Sequence, residues 1–193
     1  MSVEPVVLRR SSWMAISWAV VAGLGIGMIV AVYRVTEVNG FRMGWQGIPA
    51  FLALAGAIGR VANCKVILDE QGLTVVNPFR THRLPKPAVK DVSVDEGGTL
   101  EIHLEGGRVV SAFAFGGSVV DHFMGSSAKA QRRIDVWLKP TRPGMHSEDS
   151  GAANVRDALP RITWTRCESA DASLALCVVL TISGAIWMAL TGN

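Results

Sequence analysis

The chain has 193 residues, 49% of them hydrophobic and 18% charged, with a net charge of +3. Ordinary soluble domains carry ~25% charged residues, so this composition and a mean hydropathy of +0.31 argue against a purely soluble protein. No basic run interleaved with aromatics points to nucleic acid, and the three cysteines show no C-x-x-C spacing for a disulfide framework or a zinc site.

In chain order, residues 1–13 form a short N-terminal segment holding the Arg9-Arg10 pair. Met14 to Tyr33 follows without a charge, at about the ~20 residues a helix needs to cross ~30 Å of hydrocarbon. Arg9-Arg10 would suit a secretory signal, but the apolar stretch is long and lacks an A-x-A-like exit, so it reads as a retained first transmembrane helix. Gly44 to Gly59 is the second apolar stretch, shorter and carrying Gln46 and Pro49, and it completes a helical hairpin. Ala172 to Leu190, again uncharged, predicts the third helix. Gly23 and Gly27 form a GxxxG in helix one. Small residues recur at four-residue spacing in helix two (Ala53, Ala57; Ala55, Gly59), and Ser183, Gly184 and Ala185 lie in helix three. Such residues let helix backbones approach, so Gly23, Gly27 and Gly184 are expected contacts with one another or with a membrane partner. The absence of Asp, Glu, Lys, Arg and His from helices one and three argues against an ion or proton path through them.

Of 19 Lys and Arg, only Arg9, Arg10, Arg34 and Arg42 precede Arg60, so residues 60–139 and the linker beyond form a polar block. A hairpin puts the N-terminus and this block on one side, with Arg9, Arg10, Arg60, Lys65, Arg156, Arg161 and Arg166 near membrane ends. The hairpin loop holds only Arg34 and Arg42, beside Glu37. The positive-inside rule then predicts a cytoplasmic domain in a multi-pass protein of the cell membrane.

Within the block, Lys65–Asp69 and Leu73–Asn77 flank Glu70-Gln71-Gly72 as a β-hairpin. Arg80–Leu84 suggests a third strand before Pro85 and Pro87, and Ala88–Val94 alternates less cleanly. Leu100, Ile102 and Leu104 alternate with polar residues, as a half-buried strand requires. Gly106-Gly107 turns the chain into Arg108–Phe115, a strand apolar on both faces and so expected to be covered on both. Ser126 or Ser127 is a candidate N-cap for a helix through Leu138, with Ala130, Ile134, Trp137 and Leu138 as its apolar stripe. Trp137 is expected in the core. Pro140 stops that helix, and residues 140–171 read as a linker to the last helix.

Antiparallel strands closed by one amphipathic helix resemble a pleckstrin-homology-like (PH-like) domain. The run Leu73-Thr74-Val75-Val76-Asn77-Pro78-Phe79-Arg80-Thr81-His82-Arg83-Leu84-Pro85 is similar to bacterial PH-like domains found after two membrane helices in actinobacterial proteins. Gly98-Thr99-Leu100, Phe113 to Ser118, Asp121-His122-Phe123 and Trp137 continue the resemblance, which covers roughly residues 60–139 and the preceding hairpin. Lys86-Pro87 departs from it, standing where such domains often carry Pro-Trp. The resemblance implies an α+β membrane protein: transmembrane hairpin, small antiparallel PH-like domain with a closing helix, and a C-terminal transmembrane helix. It supplies no ligand.

Catalysis finds little support. Asp121 and His122 are neighbours without a G-x-S-x-G nucleophile elbow. His82, His103 and His146 have no accompanying motif, and the four histidines lack ligand spacing for a metal. No enzyme, cofactor or metal site is expected. The one suggestive constellation is Arg80, Arg83, Lys86 and Lys90, with no acid from Arg80 through Lys90. It could meet anionic headgroups at about 1 kcal/mol per charge, or be a solvated strand edge guarded against pairing. The expected function is therefore a membrane-anchored binding or scaffold module docking a protein or anionic lipid. The alternative is a small accessory subunit of a transporter or envelope complex.

Overall fold

The computed structural model describes residues 5–116, 126–139 and 160–191. The chain is α+β and divides into two units: residues 1–10 with 64–165, and residues 11–63 with 166–193.

Among its described residues the first unit holds two antiparallel sheets and one α-helix. The larger sheet has the order β1-β2-β3-β4-β8, built from β1 (Val6–Leu8), β2 (Lys65–Leu68), β3 (Gly72–Val76), β4 (Arg80–Pro85) and β8 (Arg161–Trp164). The smaller has the order β5-β6-β7, from β5 (Val89–Val94), β6 (Leu100–Leu104) and β7 (Val109–Ala112). Helix α4 (Ser126–Leu138) packs on β5 and β6. Period-2 alternation sends Val66, Leu68, Leu73, Val75 and Leu84 of the large sheet into one core with Leu100, Ile102 and Leu104 of β6. Ala130 and Ile134 close it from α4, Ile134 being 0% exposed.

Local chemistry explains the turns. Asp69 Oδ1 accepts from the Gln71 and Gly72 amides at 2.9 and 2.6 Å, tying the β2–β3 turn. A Cβ at Gly72 would stand 2.6 Å from the Leu84 carbonyl oxygen, so only glycine lets β3 and β4 approach there. Gly107 turns β6 into β7 at φ +73°, the left-handed region glycine favours.

One reading gains its physical reason, and two expectations are corrected. Val89 and Val92 are both buried although three residues apart, and the β5–β6 register shifts between Val89 and Asp91. A bulge at Lys90 puts both valines on one face, which the imperfect alternation could not show. The strand expected over Arg108–Phe115 ends at Ala112, and Phe113–Phe115 form a 3-10 turn. There Asn77 takes over the backbone: its Oδ1 accepts from the Phe113 amide at 2.8 Å and its Nδ2 donates to the Ser111 carbonyl at 2.9 Å. β7 is an edge strand covered on one side only, with Val109 47% exposed while Val110 and Ala112 are buried. Finally, the segment expected as linker, 140–171, contains β8, and the N-terminal segment contains β1, each pairing onto an edge of the large sheet. Residues 140–159, Gly117, Ser118, Asp121, His122, Phe123 and His146 lie outside the described residues.

The second unit is helical: α1 (Ser11–Asn39), the single turn α2 (Phe41–Gly44), α3 (Gly47–Ala62) and α5 (Glu168–Thr191). α1 and α5 extend beyond the uncharged stretches at both ends, and α3 runs three residues past Gly59. α3 packs against both α1 and α5. A Cβ at Gly56 would crowd the Leu174 side chain and the Ala170 carbonyl, and one at Gly59 would touch Ala170, so small residues set the α3–α5 approach. Ser173 Oγ donates to the Leu52 carbonyl at 2.9 Å across the same contact.

Trp137 is half-buried against the core, while Ile134 sits at its centre. Its indole Nε1 donates to the Asp69 carbonyl at 2.9 Å, pinning α4 to the β2–β3 turn. Ile134→Ala should therefore cost ~2–5 kcal/mol through a core cavity. Trp137→Phe, which keeps a ring but loses the bond, should cost only ~1 kcal/mol. Melting of the full chain followed by near-UV circular dichroism checks the order of the two.

Candidate functional site

β4 carries two of the four basic residues singled out in the sequence, Arg80 and Arg83. Arg80, His82 and Leu84 share one face of this strand, and Thr81, Arg83 and Pro85 the other. Leu84 is 2% exposed, so its face turns to the core, with exposed Arg80 at the far end of the row. Arg80 and Arg83 thus project from opposite faces. Lys86 turns inward: its Nζ donates to the Trp137 carbonyl at 2.6 Å and stands 4.7 Å from that indole's centroid. Lys90 is exposed on the bulge of β5, in the other sheet. The structure does not bring Arg80, Arg83, Lys86 and Lys90 into one patch.

Instead β8 assembles a different surface along β4. Arg161 pairs with Arg83, and Trp164 with Arg80. Phe79 and Trp164 are 58% and 63% exposed, with ring centroids 6.1 Å apart and planes tilted by 51°. Thr165 fixes this corner: its Oγ1 donates to the Asn77 carbonyl at 2.8 Å and its amide donates to the Phe79 carbonyl at 3.1 Å. The outcome is a strand pair with a Phe-Trp tip and arginines on both faces. Cations and amphipathic rings together suit contact with an anionic, partly apolar surface. Trp164 escaped the sequence reading, and Arg161 entered it only as a charge near a membrane end, because β8 lies beyond a Pro- and Gly-rich stretch and is too short to show alternation.

His82 is half-buried between Val75 and Ile162 on the neighbouring strands. Burial first, and the Arg80 guanidinium second, hold its imidazolium below the usual 6.5. His103 faces outward and exchanges a 2.8 Å hydrogen bond with Ser93 Oγ. Among the described residues no three His, Cys, Asp or Glu gather as metal ligands would.

In the helical unit, Arg60 on α3 makes an ion pair with Asp171 on α5, and Asp171 Oδ2 also accepts from the Cys167 amide at 3.1 Å. Neither residue lay inside the stretches expected as helices, so nothing in their spacing announced this pair. Gly184 lies against the Trp45 ring, where no Cβ fits, so its small size serves a contact within the chain. A Cβ at Gly23 or Gly27 would meet nothing within 4 Å.

Residues 63–117 match the family model described as a bacterial PH domain. The match spans β2 through the 3-10 turn after β7, and α4 closes the core behind it. Fold and match together define a PH-like domain. No curated protein and no solved structure matches the chain.

The lowered pKa of His82 fixes the sign of one pH effect. The folded domain binds this proton more weakly than the unfolded chain does. Its contribution to stability is therefore intact above 6.5 and lost as pH falls through the lower folded pKa. His82→Gln should flatten the decline in melting temperature between roughly pH 7 and 5, and an NMR titration of the His82 ring should show the low midpoint directly.

Proposed function

We propose that this protein is a non-catalytic, membrane-anchored module whose PH-like domain docks a protein or an anionic lipid face at the cytoplasmic side of the cell membrane. The observation that carries this reading is a pair of apolar helical spans, Trp13–Asn39 and Glu168–Thr191, 27 and 24 residues long, each with mean hydropathy 2.2 and almost wholly exposed. Ile26, Ile29, Ile182 and Ile186 are all more than half exposed. So much uncovered apolar surface on long helices calls for hydrocarbon around it.

Strand pairing supports a hairpin for the first excursion. β1 ends two residues before α1 begins and β2 starts just after α3 ends, yet Leu8 and Val66 are register partners in one sheet. A chain that leaves and returns to adjacent strands must cross a bilayer twice or not at all. The excess of Lys and Arg beside the domain then favours the cytoplasmic face. On the domain, the exposed end of the β4–β8 pair, where Phe79, Arg80 and Trp164 meet, is the docking surface. Trp164 stands four residues before α5 begins, where interfacial aromatics gather in membrane proteins.

A second reading, a small accessory subunit of a larger membrane complex, is favoured by the open space at Gly23 and Gly27, into which a partner helix could pack. Extraction in mild detergent separates the two: one stoichiometric membrane partner supports the subunit, none supports the module. Topology is tested with Ser147→Cys in a chain whose Cys64, Cys167 and Cys177 are replaced by Ala. An impermeant maleimide should label it only after the cells are permeabilised. Labelling of intact cells would put the domain outside and overturn the orientation.

A further inference from the structure

The helical unit contains a cleft that its own packing leaves open. α3 packs on both α1 and α5, and among the described residues those two flanking helices have no comparable contact with each other. The gap between them is a cavity of about 140 Å³, walled by Ser17 and Trp18 of α1 and by Ser169 and Ser173 of α5, with Ile58 and Gly59 of α3 as its floor. We infer that it binds one acyl chain of an ester-linked membrane lipid, with the Ser17 hydroxyl donating to the ester carbonyl.

Ser17 is the residue that points to a ligand. It is 6% exposed, and among the described residues its side chain makes no hydrogen bond. Three other hydroxyls of the unit are satisfied within it. Ser173 Oγ donates to the Leu52 carbonyl at 2.9 Å, and Thr181 and Thr191 donate at 2.8 Å to the carbonyls of Cys177 and Trp187, one turn back on the same helix. Ser17 lines the cavity instead. A hydroxyl held in apolar surroundings without a partner is costly, so a ligand that brings an acceptor there is favoured. Ser17 and Ile58 also border a groove of about 300 Å³ between α1 and α3, so apolar space continues on the other side of the hydroxyl.

Size and depth select the occupant. A partner helix, about 10–12 Å across, is too thick for a slot of about 140 Å³. A water needs roughly two to four polar partners, and the walls here are mostly the carbon of Trp, Val, Ile and Ala. An acyl chain is slender and apolar, and it carries one carbonyl where it joins glycerol. Ser17 lies one turn beyond Trp13, where the apolar span of α1 begins, which is about 6 Å along the axis. Trp13 and Trp18 are exposed, as aromatics at a membrane interface are. Gly59 and Ala170 of the cavity wall adjoin Arg60 and Asp171, the ion pair at the polar ends of α3 and α5. The ester carbonyls of glycerolipids lie at this boundary between headgroup and hydrocarbon. The inference rests on the membrane reading above and asks nothing of the headgroup's charge, since no charged residue lines the cavity.

The test uses the full chain in a neutral, non-ionic detergent, read by native mass spectrometry. Phosphatidylcholine with ester-linked chains is compared with its diether analogue, which has the same headgroup and chain length but no carbonyl. The parent should take up the ester lipid saturably and prefer it to the ether lipid by ~fivefold, the effect of one hydrogen bond. Ser17→Ala should bring the ester lipid down to the ether lipid's affinity and leave the ether lipid within ~twofold of the parent. Ser183→Ala, which removes a hydroxyl from an exposed position on α5, should keep the full preference. Ala55→Leu, which adds carbon to the cavity wall, should weaken both lipids. Equal affinity of the parent for the two lipids, an unchanged preference in Ser17→Ala, or no saturable binding would overturn the site. Membrane fractionation of the parent reads the anchoring separately. Membrane residence without an ester preference sinks this site alone, and a chain outside the membrane fraction sinks the reading on which it rests.

Discussion

Two short strand pairings, β1 on β2 and β8 on β4, are what the first unit depends on. Without them β2 and β4 would be edges, each presenting unpaired amides and carbonyls along its length. With them the large sheet is sealed by chain from before the first long helix and from just before the last. The antiparallel registers bring Leu8, Lys65, Arg80 and Trp164 to one end of that sheet. The edges of this sheet are thus made of residues that flank the long helices in sequence.

The helical unit obeys a different constraint. Close backbone approach at small residues and satisfied polar groups mark its helix contacts. Gly56 and Gly59 against Ala170, and Gly184 against Trp45, are contacts of this kind. Arg60 is 6% exposed, and a buried guanidinium without a counter-charge would be strongly destabilising. Asp171 supplies the charge and also binds the Cys167 amide where α5 begins, so one carboxylate links two helices and caps one.

The parts legible in the sequence were those with a period. Leu100, Ile102 and Leu104 announced β6; Ala130, Ile134, Trp137 and Leu138 announced α4; the uncharged runs announced α1 and α5. β1 and β8, three and four residues long, have no room for a period and exist only through pairing with distant strands. Asn77 cut β7 short through side-chain bonds to residues more than thirty positions away. Charge proximity in sequence was equally misleading. Arg80 and Arg83 lie three apart on a strand, which sends them to opposite faces, and Lys86 is held by Trp137. The basic groups that do converge, Arg9 and Arg10 with Lys129 and Arg133, are separated by more than a hundred residues.

The large sheet of the first unit is thus bounded on both sides by strands that flank the long helices in sequence. That claim is tested most directly by hydrogen exchange on the full chain in micelles, read at residues 161–164 and 6–8. The amides of β8 that pair with β4 should exchange as slowly as those of β3. Thr163→Pro, which removes a donor opposite Thr81, should release β8 and speed exchange along β4. Free exchange of residues 161–164 in the parent beside a protected β3–β4 pair would contradict the account, and the domain would then end at α4.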